Sequence, residues 1–312
     1  MIEDYPKTLL ELETRFATDE QCRAYLAALR WPEGFVCPRC GGRKAWPAQR
    51  GRLICADCRH QASVTAGTIF QDSHLPLRFW FRTIWQVTSQ KNGASALGLQ
   101  RVLGLGSYQT AWTVLHKLRR AMVRPGRDKL SGRVEVDETQ VGGPGHKGRG
   151  SPTKALVIIA AQEEGKGIGR IRMGRIPDGS AQYLHRFIQE AVVPGSYVHT
   201  DGWKPYQGLV ELGYEHEATK LKGQPANAAT EVLPRVHRVA SLLKRWLLGT
   251  HQGGIAHEHL DYYLDEFTFR FNRRNSASRG KLFYRLAQQA VQVPPTPYCT
   301  LVAGANRAEH KR

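Results

Sequence analysis

Two sets of residues in this 312-residue sequence have the types and spacing to do chemistry. The first is Cys37-Pro38-Arg39-Cys40 with Cys55-Ala56-Asp57-Cys58, two C-x2-C pairs separated by 14 residues. Each pair turns tightly enough to aim both sulfurs inward, so four thiolates can surround one structural Zn²⁺. Redox-active dithiols are the other reading of such pairs, but neither lies in a strand-helix-strand pattern. A ribbon this small has little core, so bound zinc would supply much of its folding energy. Cys22 and Cys299 are left as ordinary thiols.

The second set is two aspartates and a histidine. Asp137 lies within residues 133–141 (RVEVDETQV), which alternate apolar and polar residues as a strand does. A carboxylate inside such a strand is costly unless paired or bound to metal. Asp201 closes a short strand over 196–202, and 35 residues separate it from His237. Around His237, Val236, Val239, Leu243, Trp246 and Leu247 form an apolar helical stripe, while His237, Ser241 and Lys244 share another face. From there His237 can lend a neutral imidazole to a cation and Lys244 can pair with a phosphate. A half-buried surface histidine is the plainer alternative. Glu135 and Glu138 flank Asp137, but alternation points them away from or opposite to it, and neither is assigned a role.

The elements that must position these groups follow from periodicity. Residues 7–30 form a helical lead-in, with a capped start at Thr18 to Gln21. Helices are predicted over 76–90, 95–103 and 107–122, the last two joined by Gly104-Leu105-Gly106 as a helix-turn-helix. The second of that pair would expose Tyr108, Gln109, His116, Lys117, Arg119 and Arg120 to DNA, although a three-helix unit with no ligand reads the same way. After Pro125-Gly126 come strands at 133–141, 155–162 and 169–176, a helix at 181–192 and the strand at 196–202. Helices over 233–250, 257–274 and 282–291 complete the pattern. Three strands, a helix and a further strand is the order of the ribonuclease H-like fold, an α/β architecture with a mixed sheet. The predicted organisation is a lead-in at 1–34, a zinc ribbon at 35–65 and a helical DNA-binding region at 66–127. A ribonuclease H-like catalytic domain at 131–292 and a tail at 293–312 follow.

Charge points the same way. The chain has 45 Lys+Arg against 27 Asp+Glu, net +18, and residues 37–130 alone carry +13 while residues 1–36 carry −3. Each phosphate contact releases counterions, so such a surplus is the footprint of a polyanion partner, with nucleic acid leading. The composition is that of a folded chain, no apolar run is long enough to span a membrane, and the acidic N-terminus lacks a secretory pattern. A cytoplasmic, nucleoid-associated protein is expected.

The passages CPRCGG…CADCRHQASVTAGTIFQDSHLPLRFWF, VEVDETQVGG, HTDGWKPY and HRVASLLKRWLLGTHQGGIAHEHLDYYLDEFTFRFNRR span nearly the whole chain. Together they resemble bacterial insertion-sequence transposases of the ISXO2-like group, in which a zinc ribbon precedes a DDE-type, ribonuclease H-like catalytic domain. The resemblance implies that Asp137, Asp201 and His237 hold two Mg²⁺ or Mn²⁺ ions and that Lys244 is the lysine that follows them. Many relatives have Glu at the third position, and a His there shifts the expected preference from hard Mg²⁺ toward Mn²⁺. The implied reaction is hydrolysis of a phosphodiester at each transposon end, followed by attack of the freed 3′-hydroxyl on double-stranded target DNA, in at least a dimer. Arg270, Arg273 and Arg274, with the loop His146-Lys147-Gly148-Arg149, are expected phosphate clamps or solvated surface. Trp203 is expected either to stack on a base or to sit in the core. A DNA-binding regulator, an inactive copy and a stand-alone nuclease are the alternative functions.

Overall fold

The computed structural model describes residues 3–124, 126–142, 154–219 and 231–304. The chain forms two compact units, residues 1–124 with 275–303, and residues 125–274 with 304–312.

In the first unit the lead-in is two helices, α1 (Leu9–Arg15) and α2 (Asp19–Arg30). The break falls where Thr18 and Gln21 exchange side-chain-to-backbone hydrogen bonds in a capping box, which ends one helix and starts the next. A three-stranded antiparallel ribbon follows, β1 (Ala45–Ala48), β2 (Arg52–Cys55) and β3 (Gln61–Ala62). Arg30 ties α2 to the chain after the ribbon by donating to the carbonyls of Ser63 (2.9 Å) and Val64 (2.8 Å). Three helices come next, α3 (Leu77–Ser89), α4 (Ala96–Leu103) and α5 (Tyr108–Ala121). Pro76 gives α3 no side-chain cap; Asp19 of α2 supplies it, accepting the N–H groups of Leu77 and Arg78 at 3.1 Å each.

The second unit is built on a five-stranded sheet. Its strands are β4 (Arg133–Gly142), β5 (Lys154–Glu164), β6 (Gly167–Ile176), then after α6 (Ala181–Ala191) β7 (Tyr197–Thr200) and β8 (Glu215–Ala218). The sheet order is β6-β5-β4-β7-β8, antiparallel from β6 to β4 and parallel from β4 to β8. Alternation sorts β4 between two cores: Val134 and Val136 pack with Leu184 and Ile188 of α6 on one face. On the other, Val157, Ile159 and Ala161 of β5 meet α7 (Pro234–His251) and α8 (Leu260–Phe271) through Val236, Val239, Leu243 and Leu264. This is the mixed α/β sheet of a ribonuclease H-like fold.

The chain then returns to the first unit as α9 (Arg279–Ala290) and α10 (Tyr298–Ala303). Here the structure departs from the predicted boundary at 292. Phe283 of α9 is buried against Phe16, Phe81 and Trp85, with ring centroids 6.1, 5.5 and 6.1 Å away, so the helix belongs to the aromatic core of the first unit. The strand β8 is also absent from the sequence reading, because Glu-His-Glu-Ala shows no apolar alternation.

Candidate functional site

The ribbon brings its four cysteines together. Cys37 and Cys58 stand 3.7 Å apart at sulfur, Cys40 and Cys55 3.6 Å, and all four sulfurs lie within 4.8 Å of one another. A tetrahedron with Zn–S bonds of about 2.3 Å has edges of about 3.8 Å, so the thiolates fit zinc as they stand. Burial opposes ionisation of Cys37, but the N–H groups of Arg39 and Cys40 outweigh it and bring its thiol down to about 7. Gly42 leaves room beside the cluster: a Cβ there would lie 2.1 Å from an Asp57 carboxylate oxygen, which would have to swing away, and 3.2 Å from the Cys55 sulfur.

Asp137 in the middle of β4 and Asp201 just past the end of β7 come level with each other by register. Glu135 of β4 pairs with His199 of the parallel β7, and each aspartate lies two residues further on. Asp201 Oδ1 accepts the Trp203 N–H at 3.0 Å, which fixes the turn after β7. His237 arrives from the first turns of α7, half-buried, with Nε2 3.7 Å from Asp137 Oδ2. Burial holds the His237 ring below its ordinary pKa, against the pull of Glu135 and Asp201, so near neutrality it offers a lone pair. Its buried Nε2 has no hydrogen-bond partner. An orphaned imidazole nitrogen facing a carboxylate across a gap too wide for a hydrogen bond suits a divalent cation held between them. Asp137, Asp201 and His237 do not close as tightly as the cysteines, which among the described residues are the one cluster positioned to hold an ion unaided. Lys244 lies two turns along α7, exposed, and senses Asp137 electrostatically.

Other expectations meet the structure unevenly. Val236, Val239, Leu243 and Leu247 are buried as predicted. On α5, Tyr108 and Gln109 are exposed and Lys117 and Arg120 half-buried, but His116 and Arg119 are not on the outer face. Arg119 is 2% exposed and bonded to the His116 ring at 3.2 Å, because α5 packs against α4, α9 and α10 rather than on one side only. Trp203 lies on Gly179, where a Cβ would approach its ring to 2.3 Å, which is the core placement. The loop at 146–149 lies outside the described residues.

The structure also gives roles that sequence reasoning missed. Glu135 is on the same face as Asp137, as residues two apart in a strand must be, and is buried against α7. Glu138 lines the cleft beside Asp137 and His237 and accepts from the buried Tyr206 hydroxyl at 3.0 Å. Burial and the Glu138 charge keep that phenol protonated. The Asn272-Arg273-Arg274 run clamps α8 to the sheet: Asn272 pairs both backbone groups of Ile171 (2.7 and 3.1 Å), while Arg274 donates to the carbonyls of Phe271 (2.9 Å), Gly169 (3.4 Å) and Ile168. Arg273 donates to the Phe269 carbonyl at 3.2 Å and covers its ring, and Arg270 is half-buried on the same helix.

A four-cysteine ribbon and a mixed sheet carrying one aspartate within β4 and another just past the end of the neighbouring parallel β7 define a zinc-ribbon protein with a ribonuclease H-like domain. Residues 129–272 match the ISXO2-like transposase domain and residues 17–61 match the transposase zinc-ribbon domain. It is similar to an uncharacterised protein in the transposable element ISH50 of Halobacterium salinarum, 25% identical over 277 residues, 82% of this chain and 91% of that protein. Among the described residues no helix is long and apolar enough to cross a membrane.

Proposed function

We propose that this protein cuts and joins DNA at the ends of an insertion sequence, acting as a dimer or larger assembly that holds two ends. The observation that carries the reading is the approach of His237 Nε2 to Asp137 Oδ2 within an ISXO2-like transposase domain, with Asp201 in register on the adjoining strand. Asp137, Asp201 and His237 would hold Mg²⁺ or Mn²⁺, which when bound supply activation of the attacking oxygen and stabilisation of the leaving one. Lys244 then contacts a phosphate at the cleft; partial burial of its stem and the Lys154 charge lower its ammonium pKa, and the Asp137 charge opposes them. Glu138, held by the Tyr206 hydroxyl, adds negative charge to the cleft. On α5, Gln109, Lys117 and Arg120 would touch DNA, and the +13 surplus of residues 37–130 would supply nonspecific attraction.

A plasmid carrying the gene's native flanks, incubated with wild type or Asp137→Ala and either metal, tests this. Joined products that need metal and vanish in the variant are expected. Cutting without joining would support a stand-alone nuclease instead, and binding without cutting would support a regulator or an inactive copy.

A further inference from the structure

The helix that carries His237 has no cap of its own. Leu233 makes no side-chain bond to the first turn and Pro234 brings no N–H. The acceptor comes from the sheet: Glu135, 2% exposed, takes the backbone N–H groups of Arg235 (2.7 Å) and Val236 (3.0 Å) on Oε2 and the Arg235 guanidinium (2.8 Å) on Oε1. Arg235 also pairs with Glu163 at 2.8 Å and donates to the carbonyls of Gly165 (3.2 Å) and Gly167 (3.1 Å), so the joint is anchored to the β5–β6 turn as well. Charge-assisted bonds to a buried carboxylate make a stiff connection, because breaking one leaves a buried charge short of partners.

That joint lies two residues from Asp137 on β4 and one residue from His237 on α7. The elements that carry the two prospective metal ligands are therefore fastened to each other through a single buried carboxylate. We propose that Glu135 is a positioning residue, which sets the separation of His237 from Asp137 by locking the first turn of α7 to β4. The inference rests on the metal centre proposed above.

Mn²⁺ binding to the zinc-loaded full chain, followed by the paramagnetic resonance signal of free Mn²⁺, tests it. Glu135→Ala and Glu135→Gln are compared in the wild-type and His237→Ala backgrounds, with thermal melting alongside. Glu135→Ala is expected to weaken Mn²⁺ binding by roughly 10- to 100-fold, the usual effect of removing a group that orients a ligand. Glu135→Gln should recover most of it, since its amide oxygen can still accept both backbone N–H groups. In the His237→Ala background, Glu135→Ala should weaken binding no further. An equal loss in both backgrounds, or undiminished binding by Glu135→Ala, would overturn the proposal. Should Glu135→Ala melt below the assay temperature, Glu135→Asp, which keeps the charge and shortens the reach, carries the same comparison. Wild-type binding no tighter than that of Asp137→Ala would sink the metal centre itself, an outcome visible before any Glu135 variant is compared.

Discussion

A histidine facing Asp137 sets the metal preference this site should show. Imidazole is a softer ligand than carboxylate, so DNA cleavage is expected to be faster with Mn²⁺ than with Mg²⁺, and His237→Glu should raise the Mg²⁺ rate relative to Mn²⁺. Cleavage rates in the two metals for both proteins check this; an unchanged ratio would remove His237 from the centre. Asp137, Asp201 and His237 were singled out in the sequence because each stands out from its surroundings, a charge in a strand or a polar group at the edge of an apolar stripe, and the structure brings His237 to within 3.7 Å of Asp137. Glu135 was passed over although strand alternation puts it on the face of Asp137. Its partners are backbone N–H groups about 100 residues away, and no local pattern announces them.

At the level of elements, periodicity located α3 to α7 and four strands of the larger sheet to within a few residues, because amphipathic stripes and alternation dominate there. It could not find β8, whose polar residues take their strand conformation from pairing with β7. The run EFTFRFNRR was distinctive in the sequence, and the structure explains part of that by its grip on β6. Asn272→Ala would leave both polar groups of the buried Ile171 without this partner and is expected to destabilise the second unit by about 1–3 kcal/mol. Chemical denaturation of the variant against wild type measures it, and a change below a few tenths of a kcal/mol would show that the clamp is dispensable.

Across the whole molecule, the charge asymmetry and the two-unit organisation make separate demands. The surplus on residues 37–130 implies that DNA affinity falls steeply with salt, with a slope of about −0.9 in log–log terms per phosphate contacted. Lys117→Ala and Arg120→Ala should each weaken binding on any sequence and flatten that slope by about 1. Titrations between low and moderate salt decide it; an unaltered slope would move the contact surface off α5. The return of the chain as α9 was hidden from sequence reading, since a helix pattern shows which face is apolar but not which core receives it. The account stands most directly on one metal centre shared by two strands and a helix. Anomalous diffraction at the manganese edge from crystals of the full chain grown with Mn²⁺ tests that claim. A peak within bonding distance of Asp137, Asp201 and His237, absent from Asp137→Ala crystals, is predicted. Well-ordered carboxylates and imidazole with no peak among them would contradict it.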